Sequence, residues 1–334
     1  MANIKNQRMV QMGEETTWGT DVPPTVELSG IDPDAIQISP SIVTEIVRGA
    51  RGGIVPGRDT ITVRHEVQGC SIGGWVIYEQ IPYWLNLLHF ATEGTTRAYA
   101  APTSAQVTPD LATLVFGLGD LVYNITSVRA ASMTFTWNWG EPLKWSMDLM
   151  GHSVEADAFA AVAETAATGL TYALAAHNTV YIDALSGTLG ATAYACCLGG
   201  SLTINPNRKY QRCVGSLYPT GTYDSPYWDI TGTLILEETS TSAGFADAII
   251  AGATSKLIRI KFTNGLAAGD ERSLTFDIAA LVHVTNLMTD SDDVSTVELS
   301  FEPIEEGDWT TPGAGDLDGY FKITSVCADA DLWA

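Results

Sequence analysis

Met133-Thr134-Phe135-Thr136-Trp137-Asn138-Trp139, followed by Gly140-Glu141-Pro142 and Leu143-Lys144-Trp145-Ser146-Met147-Asp148-Leu149-Met150, decides the fold. Apolar side chains stand at 133, 135, 137 and 139 and again at 143, 145, 147 and 149, with a polar residue between each pair. Successive side chains of a strand point to opposite faces, so this period of two makes one face apolar and the other wet. Gly140 and Pro142 supply a short turn, and the two runs become an antiparallel hairpin. The same alternation recurs at Ile61, Val63, His65 and Val67, at Ile258, Ile260 and Phe262, at Leu274, Phe276 and Ile278, and at Val297, Leu299 and Phe301. The chain is mainly β, of barrel or sandwich type.

Two stretches break the alternation with helical spacing. Ile81 to Ala91 places Pro82 in a first turn and apolar residues at 81, 84, 85 and 88, the stripe of a helix lying on a sheet. Thr239 to Ala251 begins with Ser/Thr capping candidates, carries Phe245, Ala248 and Ile249, and meets Gly252 where a left-handed cap belongs. Both helices follow a glutamate, Glu79 or Glu237, that stands 54 or 58 residues after an extended start at Thr25 or Thr179. This similar spacing predicts an internal duplication. Residues 1–158 form an arm and first β domain, the Ala/Thr-rich 159–176 a linker, and 177–334 a second β domain, each with one flanking helix. A length of 334 residues suits two domains.

Composition narrows the function. With 17 basic against 39 acidic residues the formal net charge is −22, which predicts repulsion of polyanions rather than capture by counterion release. Both halves share the sign, with 9 basic and 18 acidic residues in 1–167 and 8 and 21 in 168–334. No apolar run has the length of a membrane span, and the opening Met-Ala-Asn-Ile-Lys-Asn-Gln-Arg lacks the apolar stretch of a secretory signal, so a soluble protein made in the cytoplasm is expected. Cys70, Cys196, Cys197, Cys213 and Cys327 are odd in number and read as reduced thiols. The five histidines lack ligand spacing, so no metal is expected.

Motifs for nucleophilic catalysis, phosphate cradling or dinucleotide binding are missing, and the expectation is a protein that is no enzyme and holds no cofactor. Asp290-Ser291-Asp292-Asp293 lacks the glycine and distal glutamate of a calcium loop and reads as a solvated turn. Trp137, Trp139 and Trp145 share one apolar face and are expected in a core or subunit interface. Two segments stand out as basic. One is the excursion with Arg48, Arg51 and Arg58; the other, 205–228, sets Arg208, Lys209 and Arg212 among Tyr210, Tyr218, Tyr223 and Tyr227. In an acidic chain these read as arms that reach an acidic neighbour.

Gly13-Glu14-Glu15-Thr16-Thr17-Trp18-Gly19-Thr20-Asp21-Val22-Pro23-Pro24 resembles the opening of the two-domain tail tube proteins of long-tailed bacteriophages. Further likenesses are Arg48-Gly49 with Arg51-Gly52, Tyr181-Ile182-Asp183, Ile230-Thr231-Gly232-Thr233-Leu234 and Gly319-Tyr320-Phe321-Lys322-Ile323-Thr324. The resemblance implies a virion structural protein, a major tail protein whose barrel-like domains, each with a helix, close into rings around a pore. Single-domain relatives make six-subunit rings, so a chain with two units implies a trimer of pseudo-sixfold symmetry. Rings would stack head to tail into a noncontractile tail tube. Its acidic lumen would hold the tape measure protein and conduct DNA during ejection, and its ends would meet the tail terminator and tail tip proteins. Ring-to-ring contacts are expected from the arm 1–24 with Trp18, from 48–59 with Arg48, Arg51 and Arg58, and from 205–227 with Arg208, Lys209, Arg212 and Tyr218. A tail terminator, a secretion-tube ring or a carbohydrate-binding or carbohydrate-hydrolysing β protein are the competing readings.

Overall fold

The computed structural model describes residues 9–333 apart from 50–56, 90, 92–93, 102–108, 119–120, 163–169, 186, 195, 226–227, 253, 267–268, 292–293, 305–316, 318 and 329–331. The backbone alone is described at 40–41, 45–49, 57–60, 68 and 288–291. The first half contributes β1 (Met9–Glu15), β2 (Val26–Leu28), β3 (Pro40–Gly49), β4 (Gly57–Trp75), α1 (Ile81–Leu88), β5 (Thr96–Ala100), β6 (Leu111–Leu118), β7 (Leu121–Asn138), β8 (Lys144–Gly151) and β9 (Val154–Ala156). The second contributes β10 (Asn178–Ala184), β11 (Ala193–Tyr194), β12 (Cys197–Asn205), β13 (Lys209–Gln211), β14 (Gly221–Tyr223), β15 (Asp229–Glu237), α2 (Ser240–Ile250), β16 (Ser255–Thr263), β17 (Ser273–Ser291), β18 (Val294–Pro303) and β19 (Phe321–Val326). Seventeen of these strands join one antiparallel sheet, and β13 pairs with β14 apart from it. The fold is mainly β, as the alternation predicts, but among the described residues the pairings form an open, branched sheet rather than a closed barrel.

Pairings run in the same order through both halves. In the first, β2–β1–β6–β7–β8–β4–β3 are neighbours. In the second, β11–β10–β16–β17–β18–β15–β12 are neighbours. The counterpart of β10 is therefore β1, not the extended start at Thr25, so the two spacings of 54 and 58 compare unlike elements. Glu79 likewise lies in the turn before α1, because β4 ends at Trp75, whereas Glu237 does end β15.

The halves meet edge to edge. Met133–Asn138 of β7 pairs antiparallel with Gly199–Ile204 of β12, which makes one run of eight strands, β3–β4–β8–β7–β12–β15–β18–β17. A second junction joins β19 to β5. Gly200 makes the first junction possible: a Cβ there would lie 2.5 Å from the Trp137 ring and 2.4 Å from the Thr233 carbonyl. Side chains pack across it. Phe135 tilts against Phe276 at 4.9 Å and Trp137 meets Phe262 edge-on at 5.7 Å, so the two halves share a continuous core. Part of the stretch expected as a linker is fastened to the first half, with Tyr172 bridging Ile77 and Leu174 bridging Pro142.

Both helices form as their sequences predict, with one difference in packing. α2 is capped by Thr239, whose hydroxyl accepts from the Ser242 amide at 3.2 Å while the Ser242 hydroxyl accepts from the Thr239 amide at 2.7 Å. α1 buries all eight residues rather than a single stripe. Trp84 packs on Trp145 at 4.7 Å, and Tyr83 meets Trp333 from the chain's end edge-on at 5.1 Å.

The hairpin β7–β8 buries Trp137 and Trp145, but Trp139 falls in the turn and is 76% exposed. Ile61 and Val63 depart from expectation in the same direction, at 49% and 44% exposed. They lie where β4 has run past its pairing with β8, which begins at Val67, and where β3 is its strand partner among the described residues. Residues 40–49 and 57–66 thus form a two-stranded arm projecting from one end of the sheet, about 30 Å long for ten residues a strand.

Candidate functional site

Two features gather the residues that the sequence singles out. The first is the segment between β12 and β15. It folds over the first half as a strap that carries the β13–β14 hairpin. Arg208 enters the interior, where Nε donates to Asp224 Oδ1 at 2.6 Å and Nη2 to Asp224 Oδ2 at 2.9 Å. Its remaining donors reach Leu87 O at 3.0 Å, Leu88 O at 2.9 Å and the Ala130 carbonyl. The last carbonyls of a helix have no partner within it, and a cation there also meets the negative end of the helix dipole. Arg208 of the second half thus caps α1 of the first, and it is a buried tie within the chain rather than an outward contact.

Next along the strap, the Tyr210 hydroxyl donates to Val67 O and accepts from the Gly151 amide at 3.1 Å. Arg212 donates to Glu66 at 2.6 Å, and this bond holds its guanidinium above the ordinary value. Tyr218 lies between two imidazoles, stacked on His65 at 4.8 Å and on His152 at 4.9 Å. Burial pushes His152 below the usual 6.5, partly opposed by Glu155. The Leu217 carbonyl accepts from the His65 amide at 2.8 Å, which ties the strap to the root of the arm. A cavity of about 150 Å³ opens beside this stack, lined by Ile42, His65, His152, Val154 and Tyr218 among others.

Trp18 belongs to the same cluster. Its Nε1 donates to Pro219 O at 2.9 Å, its ring meets His152 edge-on at 6.2 Å, and the Arg129 guanidinium lies 5.7 Å over it. Burial, then the charge of Arg208, pulls Arg129 down to about 10. Upstream, Glu15 takes hydrogen bonds from the Ser127 amide at 2.7 Å, the Ser127 hydroxyl at 2.6 Å and the Thr113 hydroxyl at 2.6 Å, anchoring the arm 9–24. Trp18, Arg208, Arg212 and Tyr218 are therefore brought together, while Lys209 stands exposed beside them. Arg48 pairs with Arg58 in the arm; their side chains, and the whole of Arg51, lie outside the described residues. The acidic neighbours that the strap's cations find are Glu66 and Asp224 of the same chain.

The second feature is the wet face of the eight-stranded run. Thr134, Thr136, Ser201, Thr203, Thr231 and Thr233 stand in register across β7, β12 and β15. Thr134 and Thr203 hydroxyls lie 3.0 Å apart and those of Ser201 and Thr233 2.9 Å apart. Lys144 on this face is matched by Glu141 at 2.8 Å. Carboxylates stand toward the margins, at Asp148, Asp229, Glu298 and Glu302. Hollows of about 290 Å³ and 490 Å³ open on it. Sequence alternation marks these positions as wet; their alignment into one surface depends on the junction of β7 with β12, for which the sequence carries no local signal.

Among the described residues no cluster of three or more His, Cys, Asp or Glu could hold a metal, and no helix is long and apolar enough to cross a membrane. The chain matches the phage tail tube protein family over residues 5–303. No curated protein matches it.

Proposed function

The chain belongs to the phage tail tube protein family, a structural component of the virion tail, and from that premise we propose how copies of it assemble. Three copies close into a ring of pseudo-sixfold symmetry, each contributing two tandem β units, 1–158 and 177–334 joined by 159–176. Rings stack into a noncontractile tube that encloses the tape measure protein, later passes DNA, and is capped by terminator and tip proteins. The protein is made in the host cytoplasm before it joins the tail.

One observation carries this reading. The pairings make β7 the counterpart of β17 and β12 the counterpart of β3, and β7 and β12 are the strands that meet inside the chain. The equivalent pair, the distal part of β17 and β3, is left with one neighbour each among the described residues. Strand directions alternate along the run, so β17 of one copy presents itself antiparallel to β3 of the next, as β7 does to β12. An open edge is a template for another strand, and repeating the internal junction uses both edges up. Eight strands from each of three copies then give an inner wall of twenty-four.

The wet face of that run turns inward. Its net negative charge and its one matched lysine suit a surface that phosphates must pass without counterion release. The arm and the exposed flank of the strap, with Lys209, make ring-to-ring contacts; Arg208 is occupied elsewhere. Deleting residues 48–59 tests the assignment by electron microscopy of concentrated protein. Folded rings without tubes are expected, and normal tubes would contradict it.

A further inference from the structure

We propose that Asn264 is a site of self-modification, at which the Gly265 amide closes on the Asn264 side chain, expels ammonia, and leaves aspartate or isoaspartate once water opens the ring. Asn264-Gly265 is the one Asn-Gly pair in the sequence, and it opens the loop between β16 and β17. Gly265 has no side chain to shield its nitrogen; its φ is +72°, and a Cβ there would meet open space. Asn264 is half-buried while Gly265 and Leu266 are exposed, so water reaches the loop.

The loop is arranged around the reacting amide. Oδ1 of Asn264 accepts from the Arg272 amide at 2.9 Å and from the Leu266 amide at 3.3 Å. Two N–H donors on one carbonyl oxygen stabilise the charge that it gains when its carbon is attacked. Nδ2 donates to the Asp270 carbonyl at 2.8 Å. Bonds of this kind prefer the amide plane, so they hold that plane still and leave the faces of Cγ open. The nucleophile is the neighbouring nitrogen. Its N–H donates to Thr263 Oγ1 at 3.2 Å, which gives the departing proton an acceptor. In the first step the bond from Gly265 N to Asn264 Cγ forms, the Cγ–Nδ2 bond breaks, and the amide proton, relayed by the Thr263 hydroxyl, leaves with Nδ2 as ammonia. Water then adds to one carbonyl of the imide ring. Cleavage at Cγ gives aspartate, and cleavage at the main-chain carbonyl gives isoaspartate. Nothing is oxidised or reduced, and water is the co-reactant.

The product alters the loop that made it. A carboxylate lacks the donor to the Asp270 carbonyl and joins Asp270 and Glu271, the latter already held by Lys261 at 3.0 Å. Strand directions place this loop at the end of the sheet from which the arm projects, so an aged copy carries added negative charge there.

Peptide mapping by mass spectrometry of the full chain, sampled over weeks in mildly alkaline buffer, reads the mass gain of an amide turned acid at 264. Conversion is expected to be faster in the native chain than in the same chain unfolded in guanidinium chloride. Thr263→Val, a change of similar shape at the end of β16, is expected to slow it about tenfold or more with circular dichroism unchanged. An Asn-Gly pair reacts at some rate without any fold, so conversion that is equal or slower in the native chain would overturn the proposal. An unchanged rate in folded Thr263→Val would overturn it as well. The comparison of native with unfolded wild-type chain needs no variant and stands even where Thr263→Val does not fold.

Discussion

Arg208 illustrates how a charged residue in a polar-looking loop can be structural. Its five donors are distributed over Asp224 and three backbone carbonyls, two of them the last in α1. Replacing such a pair by matched apolar groups can be neutral, but removing one partner strands a buried charge. Arg208→Met is expected to cost about 3–5 kcal/mol in urea unfolding, and adding Asp224→Asn to recover part of that loss. His152 gives a pH dependence of definite sign. Its imidazole titrates below 6.5 in the fold, so the native state prefers it neutral. That contribution is complete above 6.5 and is lost as pH falls through the lower folded value. Amide exchange in the strap should quicken on acidification from pH about 7 to about 5.5, and His152→Phe should remove that response.

Strands and helices were legible wherever a period could be counted. Met133 to Met150 alternates over both of its runs, and β7 and β8 form there with only Trp139 displaced into the turn. Pro82 and the Thr239–Ser242 box fixed the helix starts for local reasons of the same kind. Alternation says that one face is apolar, not that something covers it, which is why Ile61 and Val63 lie exposed on the arm. The strap was visible as a basic, aromatic segment, but its partners Glu66, His65 and His152 are far away in sequence and no pattern connects them. The junction of β7 with β12 could not be read locally: Gly199 and Gly200 interrupt a strand-like run, and only the folded chain shows that Gly200 makes room for Trp137. Gly200→Ala should cost about 1–3 kcal/mol through overpacking against Trp137, seen as a lowered melting temperature with unchanged secondary structure.

Taken whole, the chain is an asymmetric block, with the seam of β7 and β12 inside it and a two-stranded arm at one end. Family membership assigns it to the tail tube, and the proposed ring repeats the β7–β12 seam from copy to copy. The continuous core through Phe135, Phe276, Trp137 and Phe262 makes the two halves one body. A stiff subunit keeps a ring's curvature fixed. Net charge was legible from composition, yet its placement was not: hydroxyls occupy the centre of the wet face and carboxylates its margins. The most direct measurement is a helical reconstruction of tubes grown from the purified protein by electron cryomicroscopy. Three copies per ring, with β17 of each bonded antiparallel to β3 of the next in a wall of twenty-four strands, is the predicted result. Rings whose copies touch through other elements, or with the Thr134–Thr203 face turned outward, would contradict the account.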